Sequence, residues 1–96
     1  MLIRSQDGKT LTNFDFINIY PSENLVIHNP DENEHVEMIA FIGRGSSFLG
    51  GYSNEEKAMK VLNMIQEEYE KANTYYCDGY VPNIVFQMPQ DDEVEV

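Results

Sequence analysis

Three groups of carboxylates stand out by type and spacing: Glu32, Glu34 and Glu37; Glu67, Glu68 and Glu70; and Asp91, Asp92 and Glu93, with Glu95 beyond them. Clustered carboxylates can take the place of phosphates before the Lys and Arg of a basic partner. They can also do no more than keep a small chain soluble. The balance of the whole chain frames both alternatives. It holds 17 acids against 6 bases, a formal net charge of -11 and a pI near 4.3. Such a surface repels nucleic acid and anionic membrane, and it attracts basic proteins. The excess is uneven. Asp7 and Asp15 balance Arg4 and Lys9 up to Ser22, whereas Glu23 to Glu37 and Asn73 to Val96 each carry five acids and no base.

Other residues that bear chemistry point to no reaction. Gly43 to Ser47, "GRGSS", offers two glycines and two hydroxyls, as an anion nest would. No helix follows it and the Walker pattern is absent, so a hairpin turn is expected. His28, His35 and Cys77 fit no common zinc spacing. No nucleophile elbow and no cysteine-protease signature is present. A sheet this small also offers little depth for a pocket. We therefore expect no enzyme, no cofactor and no metal site. Tyr75, Tyr76 and Tyr80 sit in a polar stretch, where they either cover the edge of a small core or anchor an interface.

These residues need elements to hold them. "LIRS" reads as a short strand, and Asp7-Gly8 as a tight turn. "TLTNFDFINIY" returns with Phe14 and Phe16 in one phase and Ile17 and Ile19 in the other, which implies a bulge or a strand apolar on both faces. "NLVIH", "HVEMIAFIG" and "FLGGY" are further strand candidates, and Pro89 closes a last one in "NIVFQM". A helix begins after Ser53. Ser53 as N-cap and Glu56 form a capping box. Ala58, Val61, Leu62, Ile65, Tyr69 and Ala72 form a core-facing stripe. Glu56–Lys60 and Glu67–Lys71 are expected i,i+4 pairs.

The order predicts an α+β fold: an antiparallel meander of about five to six strands with one amphipathic helix packed on one face. Residues 1–90 form the single domain, and 91–96 a flexible acidic tail. A lone cysteine excludes an internal disulfide and suits a reducing cytoplasm. The N-terminus has no apolar signal core, and no apolar run reaches the roughly 20 residues of a membrane helix. A soluble cytoplasmic protein is expected.

"MLIRSQDGKTLTN", "LGGYSNEEKAMKVLNMIQEEY" and "VFQMPQD" resemble the Met-x-Ile-Arg-Ser-Gln-Asp start, the Leu-Gly-x-Tyr strand end with capped helix, and the Met-Pro close of a family of small Firmicutes and phage proteins. The match covers roughly half of the chain and leaves out Ile19 to Arg44. The resemblance implies a bacterial host cell and no catalytic residues. Small acidic proteins of that setting include type II anti-CRISPR proteins, and this chain is similar to them in size and charge alone. It implies an inhibitor that engages a basic nucleic-acid enzyme, Cas9 above all, by carboxylate mimicry of phosphates. The contact residues would be Glu32, Glu34, Glu37, Glu67, Glu68, Glu70, Tyr75, Tyr76, Asp91, Asp92 and Glu93. The other alternative is a structural or scaffolding module, homodimeric through "HVEMIAFIG" as an exposed edge.

Overall fold

The computed structural model describes residues 1–21, 35–76 and 85–95, with the side chains of Ala72 to Tyr76 left aside. Three strands near the ends of the chain make one sheet: β1 (Leu2–Arg4), β2 (Leu11–Thr12) and β6 (Val85–Gln87). β1 lies between the other two, antiparallel to β2 and parallel to β6. The alternation of a strand buries Ile3 while Leu2 and Arg4 face out. The Asp7-Gly8 turn is formed as expected. Gly8 takes φ 74°, and the buried Ser5 organises the loop, its hydroxyl accepting from Thr10 N at 3.1 Å and donating to Asp7.

The second sheet is β3 (Phe16–Pro21), β4 (Val36–Ile42) and β5 (Gly45–Tyr52), antiparallel throughout. Val36, Met38 and Ala40 alternate into the core. Gly43-Arg44 turns the chain between β4 and β5, with Gly43 at φ 57°. The 22-residue helix α1 (Glu55–Tyr76) packs on β4 and β5 and adds Ala58, Val61 and Ile65 to a core shared with Ile3, Leu49, Tyr52, Phe86 and Met88.

The α+β class is the one expected, but the strands are arranged otherwise. They form two three-stranded sheets, and the closing strand lies parallel to the first. The phase change in "FDFINIY" marks a strand apolar on both faces, the second of the two alternatives. Ile17 and Ile19 pack inward, and Phe16 and Tyr20 face out. The register irregularity sits instead opposite Met38 and Ile39, where β5 carries Leu49 as an extra residue. That bulge leaves the Leu49 carbonyl to accept from Gln6 N at 2.7 Å, which links the two sheets. "HVEMIAFIG" is no open edge: β4 is paired on both sides. "NLVIH" lies outside the described residues.

The start of the helix also differs from expectation. Asn54, not Ser53, caps it, because Asn54 Oδ1 accepts from Lys57 N at 2.9 Å. The two anticipated i,i+4 ion pairs are not the ones formed. Lys71 meets Glu68 at 3.3 Å, and Lys60 donates to the Glu95 carbonyl. In the stripe, Leu62 is half-buried and Tyr69 is largely exposed.

Candidate binding surface

The C-terminal acids are built into the fold rather than hung from it. Asp91 to Glu93 form one 3-10 turn after Gln90. Glu93 Oε1 accepts from Gln90 N at 2.8 Å, which closes that turn. Asp91 Oδ1 accepts from Ser53 N at 2.7 Å, and Lys57 Nζ reaches both the Asp91 carbonyl at 3.0 Å and its Oδ2 at 3.5 Å. The Ser53 N–H foremost, helped by the Ser53 hydroxyl and the Lys57 charge, holds the Asp91 carboxyl below the usual carboxylate range against partial desolvation. Beyond it Val94 is only 5% exposed and joins the core. The expected flexible tail over 91–96 is thus a docked segment through Glu95. The reason is tertiary: the fold brings the Ser53 N–H and Lys57 at the helix start to Asp91, and the apolar Val94 joins the core.

The other acidic candidates fall on separate elements. Glu67, Glu68 and Glu70 lie on the C-terminal half of α1, where Glu68 pairs with Lys71 and Glu70 accepts from Gln66 Nε2 at 3.1 Å. Glu37 lies on β4 opposite Tyr20. Asp92 is exposed on the C-terminal turn. Glu32 and Glu34 lie outside the described residues, as do His28, Cys77 and Tyr80. Of Tyr75 and Tyr76 only the helical backbone is described. The fold therefore brings Asp91, Asp92 and Glu93 together on one turn, and Glu37 lines a shallow groove with Asp91, while Glu67, Glu68 and Glu70 lie on the C-terminal half of the helix.

"GRGSS" holds no open anion nest at its first glycine. Gly43 N already donates to Asp15 Oδ2 at 2.8 Å, so a carboxylate of the chain itself occupies that donor. Among the described residues, no three His, Cys, Asp or Glu side chains are placed to share a metal ion.

Sequence reasoning missed a different surface. The outward side chains of the second sheet are Phe16, Asn18 and Tyr20 from β3, Glu37, Ile39 and Phe41 from β4, and Ser46 and Phe48 from β5. Phe16 is 52%, Phe48 49% and Tyr20 40% exposed. Phe16 and Phe41 stack with centroids 4.8 Å apart and planes within 13°. Tyr20 meets Phe41 edge-on at 6.2 Å. The phase change between Phe16 and Ile17 was the signal that could have found this face, since it places large apolar groups on both sides of one strand.

No protein family matches this sequence, and neither a curated protein nor a solved structure matches it. Among the described residues, no helix is long and apolar enough to cross a membrane.

Proposed function

We propose that this chain is a small acidic binding protein that engages a basic protein partner and carries out no reaction itself. One observation supports this above the others. All six bases lie among the described residues, and among those residues their side-chain ion pairs are Lys57–Asp91 and Lys71–Glu68, set against a large excess of acids. Glu55, Glu56, Glu67, Asp92 and Glu93 lie exposed. A net charge of -11 arranged in this way projects a negative field that steers a basic partner.

The finer reading follows the resemblance to small Firmicutes and phage proteins. On it the chain is an inhibitor of the anti-CRISPR kind that places carboxylates where a nucleic-acid enzyme, Cas9 as first candidate, binds phosphates. The helix acids Glu67 and Glu70 and the exposed Asp92 are its main contacts. A second reading, a scaffolding module that pairs with itself, keeps one favouring observation: the aromatic outer face of the β3–β4–β5 sheet.

The test is a salt titration of binding to Cas9 for the chain and for Glu67→Gln/Glu70→Gln/Asp92→Asn. Steep salt dependence, flattened by the triple substitution, is the expected outcome. Absence of binding at low salt, together with concentration-dependent self-association, would overturn the proposal in favour of scaffolding.

A further inference from the structure

We infer that the outer face of the β3–β4–β5 sheet is the docking surface for the basic partner, and that it receives arginine side chains against its rings. This rests on the basic-partner reading above and adds where and how that partner sits.

A solvent-facing antiparallel sheet ordinarily alternates apolar inside with polar outside. Here the outside carries Phe16, Tyr20, Ile39, Phe41 and Phe48. Contiguous exposed apolar groups on a small, strongly charged chain mark an interaction surface. The rings are also ordered before any partner arrives. The stack of Phe16 on Phe41 and the edge contact from Tyr20 fix three rings on one rigid sheet, so little side-chain entropy is left to lose on binding.

Charge decides the occupant. The outward positions include no Lys or Arg, and they include Glu37 opposite Tyr20. A second copy would bring together two chains of net charge -11 and two such Glu37 positions. A neutral apolar partner would use the rings and nothing of the field. A basic partner uses both. The guanidinium of arginine is planar and weakly hydrated, so it stacks on an aromatic face while its charge answers the acidic surroundings. The lysine ammonium is a compact, strongly hydrated charge that stacks poorly. The face should therefore tell arginine from lysine, which a purely electrostatic surface does not.

The experiment measures binding of labelled oligo-arginine and oligo-lysine peptides of equal length to the full chain, and to Phe16→Thr/Phe48→Thr. That pair of substitutions leaves the net charge unchanged and suits exposed strand positions. The wild type should prefer oligo-arginine by roughly tenfold, and the double variant should lose that preference while keeping a salt-sensitive residue of binding to both peptides. In case the variant folds poorly, ring-proton NMR of the wild type gives the same answer. Phe16, Tyr20 and Phe48 signals should shift with oligo-arginine more than with oligo-lysine. Equal affinity for the two peptides, or an undiminished preference in a folded variant, would overturn the inference and leave acid-driven binding standing. Failure of both peptides to bind at low salt would instead overturn the basic-partner reading itself. A wild-type dimer that the double substitution abolishes would assign the face to a second copy, and would also overturn the inference.

Discussion

The side-chain amide of Gln6 pairs with the backbone of Gly51 as a residue of a neighbouring strand would. Its Oε1 accepts from Gly51 N at 2.8 Å, and its Nε2 donates to Gly51 O at 3.0 Å. The same Nε2 donates to Pro89 O at 3.0 Å. One side chain thus ties β5 to the segment after β6. Gly50 makes room for it, because a Cβ there would come within 2.6 Å of Gln6 Cδ. Gln6→Ala should cost about 1–3 kcal/mol, since it leaves partly buried backbone groups unpaired. Gly50→Ala should destabilise by pushing the amide off Gly51. The two effects should be less than additive in the double variant, because Gly50→Ala has nothing to displace once Gln6 is shortened. Urea unfolding of the four proteins checks this; full additivity would mean that the amide carries no weight in joining the sheets.

The docked C-terminal segment makes a prediction opposite to that for a free tail. Deleting residues 91–96 removes the buried Val94, the acceptor of Ser53 N and the partner of Lys57. A loss of about 2–3 kcal/mol is expected, most of it from Val94 and the hydrogen bond to Ser53. A change below about 0.5 kcal/mol, the usual scale of surface edits, would show that the segment is not held in solution.

Asp91 should also give the fold an acid sensitivity. Its carboxyl titrates lower in the folded chain than in the unfolded one, where it takes the ordinary value near 4. Stability from the ionised form is therefore complete above that ordinary value and is lost as pH falls through the lower folded value. Thermal melts across this range should show Asp91→Asn below the wild type at neutral pH, with the gap closing in acid. A constant gap would mean that the charge of Asp91 is not what holds Ser53.

At the helix start, Asn54→Ala should cost about 1 kcal/mol as the lost cap of Lys57 N. The Ser53 backbone N–H donates to Asp91 whatever its side chain is. Ser53→Ala should therefore cost less than Asn54→Ala. The reverse order in thermal melts would restore Ser53 as the cap.

Along the helix face, Ile65 is 3% exposed and Leu62 is half-buried. Ile65→Ala should cost about 2–4 kcal/mol, and Leu62→Ala clearly less, although both belong to one periodic stripe. Equal costs would mean that Leu62 is as fully covered in solution as Ile65.

What the sequence determined by itself was set by short-range physics. The period of Ala58, Val61 and Ile65 produced the helix, glycine's freedom at Gly8 and Gly43 produced two turns, and the alternation of Val36, Met38 and Ala40 produced β4. The acidity of the surface needed no fold at all. Only the tertiary structure decided how these pieces meet. β1 and β6 pair in parallel across nearly the whole chain, and no local pattern encodes a partner that distant. Whether Phe16 faces core or water depends on which sheet takes in β3. Sequence shows the change of phase there, but not the side on which the core will form. The acids of the tail read as free because charge is normally solvated. Asp91 became structural only because the fold places the Ser53 N–H and Lys57 within its reach, and because Val94 beyond it had apolar surface to bury.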